Sequence, residues 1–334
     1  MTLDLGFLSA VAVGYLLLLF LVAYITDRRW LPVWLTRNPL VYVLSLGVYA
    51  TTWSYYGSVG FAQDQGINYL TIYLGVTLAF VLTPVLLMPI LRLTRTYQLS
   101  SVADLFAFRF NSQLVGVAVT VLMLAGVLPY IALQIRAVAE STQVLTRESS
   151  PDVLAFWFVV LVTVFTMIFG ARHVSPREHH DGLVAAIAFE SLMKLVALLI
   201  VAGVAVTMAF GGLGGMHEWL AANPEQLEAF YEPAREGPWA SLLILAFAAA
   251  FLLPRQFHML FAENQSPGHL NVASWAFPLF LLVLTLVIRP SSGPGRFCSR
   301  AHRRTTTSWA FPWPAAARPW HCWPTWEASP RPAP

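Results

Sequence analysis

The stretch AFESLMKL, residues 188–195, decides how this chain is read. It sets Glu190 and Lys194 inside an otherwise apolar run from Gly182 to Phe210. At about 1.5 Å of rise per residue, that run is long enough to cross the roughly 30 Å hydrocarbon core of a bilayer as a helix. The acid stands four residues before the base, the favourable order on a helix, so the two can pair on one face. Each charge costs about 2.5–3.5 kcal/mol at a helix centre, while each neighbouring Leu, Ile, Val or Phe returns about 0.3–0.6 kcal/mol. The span inserts with little margin, and does so best with the pair turned to the bundle interior or to a wet cavity. The pair reads either as structural, fixing packing, or as an element that couples a solute or an ion.

Working outward, apolar segments of spanning length recur at 3–26, 40–61, 69–91, 113–145, 153–170, 182–210, 239–262 and 272–289. The 334 residues are 57% hydrophobic and 11% charged, with a mean hydropathy of +0.63, whereas soluble domains are about 25% charged. These features predict an all-α, polytopic membrane helical bundle of about eight transmembrane helices. A membrane β-barrel is excluded, because its strands alternate over about ten residues instead of running apolar throughout. Arg28, Arg29, Arg37, Arg92, Arg95, Arg109, Arg172 and Arg177 fall in alternate connections. The positive-inside rule puts those in the cytoplasm and the N-terminus outside, as in a multi-pass protein of the bacterial inner membrane. The first span begins too acidic and runs too long for a cleaved signal peptide and is expected to be retained.

From Ser291 the composition changes. Eight of the 22 prolines and five of the 12 tryptophans lie in 291–334, and without those residues the acids outnumber the bases. The basic balance therefore belongs to the tail and gives no ground for a nucleic-acid partner. The chain reads as one transmembrane domain, 1–290, and a disordered Pro-rich tail, 291–334. The tail also reads as out of frame. Starting one base earlier turns each Trp codon into one for Leu, Val or Met, and Thr305 to Arg331 then decodes as a Leu-rich span ending Gly-Gly-Phe-Ser-Ala-Ala. Cys298 and Cys322 are the only cysteines, so neither a disulfide framework nor a thiolate metal site is indicated. The run ARHVSPREHHDG, 171–182, has three histidines without regular ligand spacing and reads as a charged loop, so no metal is expected.

Three further stretches interrupt the apolar pattern. ATTWSYYGSVGF, 50–61, brings hydroxyls and glycines into the second span. Backbone can unwind at membrane depth only where it lines a cavity, an exception that transporters use to bind solutes and cations; a small-residue packing face is the alternative. In FLLPRQFHMLFAEN, 251–264, Pro254 removes a backbone donor and predicts a kink beside Arg255, Gln256 and His258. PYIALQIRAVAEST, 129–142, places Gln134, Arg136 and Glu140 toward the end of a long fourth span, which reads as a protruding, solvated terminus. Between the third and fourth spans, YQLSSVADLFAFRF, 97–110, opens on a Ser100 or Ser101 cap with Asp104 behind it and predicts a short interfacial helix.

These residues resemble the solute:sodium symporter family over 1 to about 289. The resemblance rests on the order of spans, on ATTWSYYGSVG, on SSVADLFAFRF, which is similar to the family's "pdyl..RF" connection, and on HDGLVAAIAFESLMKL. The details are most similar to the symporter-like sensory domains of bacterial sensor histidine kinases, including the histidine-responsive type. The resemblance implies an inverted-repeat transporter fold, here incomplete. The second to sixth spans would form one repeat and the seventh would open the next. It also implies a sodium site from backbone carbonyls at Ala50 and Trp53 together with Ser/Thr groups on a later helix that is missing. Thr52 stands where proline-type members have an aspartate, which argues against direct sodium dependence and toward H+ coupling or sensing without transport.

The expected activity is binding or transport of a small solute, an amino acid or a carboxylate, with Thr52, Ser54, Tyr55 and Tyr56 facing Gln256 and His258 across a small aqueous chamber. Glu190 and Lys194 are the coupling or packing pair. The chain shows no nucleotide-binding loop and is expected not to be an enzyme or to hold an organic cofactor. Its partners are the solute, the lipid bilayer and, in the full-length parent, a kinase module in cis. As it stands the chain is expected neither to transport nor to signal. A stand-alone cation:solute symporter is the other reading.

Overall fold

The computed structural model describes residues 4–58, 61–62, 66–146, 151–169, 180–222, 224 and 238–303. The chain is an all-α helical bundle with no strand among the described residues. In chain order the principal helices are α1 Leu5–Asp27, α2 Pro39–Ser45, α3 Leu70–Val81, α4 Met88–Tyr97, α5 Val102–Phe110, α6 Gln113–Thr146, α7 Pro151–Phe169, α8 Asp181–Phe210, α9 Pro238–Leu252, α10 Pro254–Phe257 and α11 Pro267–Arg303.

Each of the eight expected spans has a helical counterpart, but not all are uninterrupted. Leu5–Asp27, Gln113–Thr146, Asp181–Met208 and Pro267–Leu286 are long and apolar enough to cross a membrane unbroken. Two more spans are bent pairs, Leu70–Val81 with Thr83–Tyr97 at 59° and Trp239–Leu252 with Pro254–Ala262 at 49°. The expected span 40–61 appears as a shorter apolar helix, Pro39–Tyr49, and 153–170 as the 19-residue α7, of which the stretch Asp152–Val164 passes as apolar among the described residues. By length and composition the described residues therefore supply four to six crossings where the sequence suggested eight. In the second span the break at Ala50 is the reason: it consumes residues that a straight helix would use for length.

The bends have sequence causes. Leu253 precedes Pro254 and is driven out of the helical region to φ −59°, ψ 132°, because the proline ring crowds the residue before it. In the third span Pro84 opens a π turn, Thr83–Leu87, after Leu82 has left helical geometry. The second span winds down through a 3-10 turn, Leu46–Tyr49, becomes extended at Ala50 (φ −77°, ψ 112°) and resumes as a π turn, Trp53–Gly57.

The core lies where α2, α3, α9 and α11 pack, with α8 against α2 and α11. Leu46, Val76, Phe80, Leu87, Leu260, Leu270 and Phe277 are fully buried there. Close approach is set by glycine in two places. A Cβ on Gly75 would stand 2.6 Å from the Leu243 carbonyl oxygen of α9, and one on Gly47 would stand 2.5 Å from Ser191 Oγ of α8. Small residues let membrane helices approach in this way when lipid supplies no hydrophobic drive. The outward apolar residues of α1, α6 and α7, such as Leu17, Leu122 and Trp157, are exposed, as a lipid-facing surface requires. The last helix crosses the boundary expected at 290 and runs to Arg303; 304–334, with most of the Pro-rich tail, lie outside the described residues.

Candidate functional site

Unwinding at Ala50 frees backbone groups of the second span, and side chains from three other helices meet them. Gln134 of α6 presents Oε1 to the Thr52 backbone N–H at 3.1 Å and also accepts from the Thr52 hydroxyl. Lys194 of α8 donates from Nζ to the Ala50 carbonyl at 3.1 Å while pairing with Glu190 at 2.7 Å. Gln256 of α10, fully buried, donates from Nε2 to the Leu46 carbonyl at 3.4 Å. Tyr130, one turn before Gln134 on the same face of α6, donates to Thr51 Oγ1 at 2.5 Å and accepts from Arg255 at 3.1 Å. The Arg255 guanidinium lies 4.6 Å from the centre of the Tyr130 ring, a cation–π contact.

The cluster is not fully satisfied. Gln134 Nε2, Arg255 Nε and Gln256 Oε1 are buried side-chain atoms without a hydrogen-bond partner among the described residues. A buried polar atom without a partner costs about 1–3 kcal/mol, so such atoms call for a bound polar group or ordered water. Arg255 and Gln256 stand just after the break of the seventh span, and Gln134 lies on α6, the helix that meets the break of the second.

The structure rearranges the expected site. Thr52 takes part through Gln134, a residue the sequence reading assigned to a solvated helix end. Arg136 and Glu140, two and six residues further on, do form an exposed pair at 2.6 Å. Trp53 leans on Phe61, with ring centres 6.5 Å apart, and its carbonyl accepts the Ser58 N–H that closes the π turn. The Ser54 carbonyl accepts from the Ser58 hydroxyl at 2.7 Å. The two carbonyls that the resemblance linked to sodium, on Ala50 and Trp53, are thus both engaged, one by the Lys194 ammonium. The side chains of Tyr55 and Tyr56 lie outside the described residues. Among the described residues His258 makes no hydrogen bond to Thr52; its Nε2 meets Glu263 Oε1 at 3.2 Å.

That contact belongs to a second polar cluster, at the end of the bundle carrying Arg37 and Arg95. Glu263, 4% exposed, also accepts from the His180 backbone N–H at 3.1 Å and stands 3.0 Å from His180 Nδ1. Burial pushes its carboxyl up, but hydrogen bonds from His258 and His180 outweigh this and bring it down to about 2. Arg95 donates to the carbonyl and the side chain of Asn264 at 2.6 and 3.1 Å. Arg37 and Gln265 both reach Asp181, at 3.0 and 2.6 Å. The start of α8 is thereby tied to the end of the broken seventh span. The sequence reading groups His258 with Gln256, takes His180 as part of a charged loop without metal-ligand spacing, and gives Glu263 no role.

The fold is an all-α polytopic helical bundle with apolar helices of membrane-spanning length. Comparison with known proteins agrees at that level. The chain is similar to a protein of Bacillus subtilis (strain 168) described as an uncharacterized symporter, YhjB, with 25% identity over 251 residues covering 74% of this chain and 49% of the relative. It spans about half the length of that relative. No family model matches the chain, and no solved structure matches it.

Proposed function

We propose that the bundle binds a small solute with a carboxylate, an amino acid or a simple organic acid, at the break of the second span, and that in its full-length parent it serves as the solute-binding part of a secondary transporter-like membrane protein. The observation that carries this reading is the set of buried, unpartnered polar atoms on Gln134, Arg255 and Gln256 around the two breaks. Arg255 supplies the charge that a carboxylate needs, pre-oriented by the Tyr130 ring and hydroxyl. Gln134 and Gln256 offer one donor and one acceptor to the remainder of the solute. Similarity to a symporter supports the same reading.

Lys194 stands at the Ala50 carbonyl, where the resemblance placed sodium. Its ammonium acts as a tethered cation, and the coupling ion is H+ rather than Na+. The finer proposal, that the parent passes solute occupancy to a histidine-kinase module in cis, rests on the resemblance of AFESLMKL and ATTWSYYGSVG alone. A dimerisation and ATP-binding region in the downstream coding sequence is its test.

The binding proposal is tested on the purified chain in detergent, by melting it against a panel of the twenty amino acids and short mono- and dicarboxylates. At least one compound is expected to raise the Tm, equally in sodium and in choline chloride, and Arg255→Gln and Thr52→Ala are expected to abolish the rise. A panel without any shift, or a shift that both variants retain, overturns the assignment.

A further inference from the structure

We propose that His180, His258 and Glu263 form a binding site for one divalent transition-metal ion of the zinc class, at the end of the bundle where α8 begins and the broken seventh span ends. The proposal stands on these three residues and is independent of the solute reading.

The site is assembled by local geometry. His258 and Glu263 are five residues apart, a spacing that on an α-helix turns side chains well away from each other. Here His258–Ala262 is a π turn, closed by the Glu263 N–H bonding the His258 carbonyl at 2.9 Å. The wider turn, with its i to i+5 bond, brings positions i and i+5 to one side. His180 arrives from elsewhere in the sequence, immediately before α8.

The donor set suits such a metal. One ligand atom from each residue, His180 Nδ1, His258 Nε2 and a Glu263 carboxylate oxygen, lies within 4.8 Å of the other two. The two nitrogen-to-oxygen separations are 3.0 and 3.2 Å. Ligand atoms bonded to zinc at about 2.0–2.1 Å in tetrahedral geometry stand about 3.3 Å apart, so only small adjustments seat an ion between them. Two imidazoles and one carboxylate favour zinc and its neighbours over calcium or magnesium, which prefer all-oxygen shells. The His180 backbone N–H holds the other carboxylate oxygen at 3.1 Å and fixes the orientation of the ligand, as second-layer bonds do in metal sites. Glu263 is almost completely buried, and both histidines are partly exposed, which leaves the ion a path in and a position for water or an exchangeable ligand. On coordination each imidazole turns a lone pair to the ion and carries its proton on its other ring nitrogen.

A metal held here would link α8 to the seventh span across the same seam that Asp181 and Gln265 bridge. It would stabilise this arrangement of the two segments by mass action.

The test is zinc titration of the purified full chain, stripped with EDTA, by competition against a chromogenic chelator, with cobalt(II) as a spectroscopic probe. One equivalent of zinc is expected, with a rise in Tm that EDTA reverses, and cobalt is expected to give the visible absorption bands of a four-coordinate nitrogen–oxygen site. His258→Gln and His180→Gln are each expected to weaken zinc binding by at least about tenfold. Glu263→Gln removes a buried carboxylate and can lower stability by itself, so the histidine variants and the cobalt spectrum carry the decision. Absence of stoichiometric zinc binding by the stripped wild-type chain overturns the proposal, as does zinc binding that both histidine variants retain unchanged.

Discussion

The second and seventh spans are broken by the same local device and used differently. Each becomes extended at one residue, Ala50 or Leu253, and each resumes through a π turn, Trp53–Gly57 or His258–Ala262. In the second span the freed groups face polar side chains from other helices: Gln134 to Thr52, Lys194 to Ala50, Gln256 to Leu46. In the seventh the turn is sunk among Phe257, Leu260 and Phe261, and its polar groups, His258 and the Glu263 that follows it, pair with each other and with His180. The Leu260 carbonyl is met by one hydroxyl, Tyr42, at 2.8 Å. A break in a membrane helix becomes a binding cluster where foreign polar groups converge on it, and a tether where apolar packing holds it and one charged residue leaves the end. Backbone conformation alone does not distinguish the two.

The strongest way to break this contrast is to remove the cation that holds the second break. Lys194→Met leaves Glu190 without its partner and the Ala50 carbonyl without its donor. Losing one member of a buried pair costs about 3–5 kcal/mol. With side chains 24% and 31% exposed, we expect about 2–3 kcal/mol, read as a lower Tm of the purified chain. Lys194→Met with Glu190→Leu should recover most of the loss, because two apolar groups then replace two charges, and yet should not restore solute binding. If Lys194→Met melts like the wild type, Lys194 does not hold the second break and the two breaks lose their main distinction.

Much of this architecture is legible in residue spacing. Apolar runs of spanning length, the acid-before-base pair at 190 and 194, Pro254 and the Ser101 cap are local signals, and each appears where the pattern put it. Gln134 was within reach: it stands four residues after Tyr130 and so shares its face, while Arg136 and Glu140 point elsewhere. Helix length alone drew it to the solvated end. The break at Leu82 also had a sign, Pro84 and Pro89 within one apolar run, but a run read by hydropathy hides its own interruptions. The cluster of His180, His258 and Glu263 was out of reach, since five-residue spacing signals nothing on an α-helix and the third member lies more than seventy residues away. Contacts of that kind are properties of the tertiary fold.

A finer test compares the two glutamines beside the breaks. Gln134→Leu strips the Thr52 N–H of its acceptor and should cost about 1–3 kcal/mol, the penalty of an unsatisfied buried donor. Gln256→Leu removes a long 3.4 Å bond together with an Oε1 that has no partner among the described residues, so its effect on Tm should be near zero. Both variants should weaken the solute-induced Tm shift. Equal melting temperatures for the two would mean that the Thr52 N–H does not depend on the Gln134 acceptor, and that the second break is not held through it.

The smallest effect belongs to α5, which lies outside both breaks and serves as their control. Ser101 caps this helix by accepting the Asp104 N–H at 3.1 Å, and Asp104 accepts the Ser101 and Ser100 N–H groups at 3.0 and 3.2 Å. Burial pushes the Asp104 carboxyl up, but hydrogen bonds from Ser101 and Ser100 together outweigh it and hold the group below its ordinary value. A carboxyl lowered by folding stabilises the fold above its unfolded value, and that stabilisation fades as the pH falls through the folded one. Asp104→Asn should therefore cost less than about 1 kcal/mol at neutral pH and flatten the acid-side loss of protection of α5 amides in hydrogen exchange. The solute-induced and zinc-induced shifts in Tm should be untouched by it. A change in either would show that the interfacial helix is coupled to the breaks, and that their difference is not set by the side chains facing them.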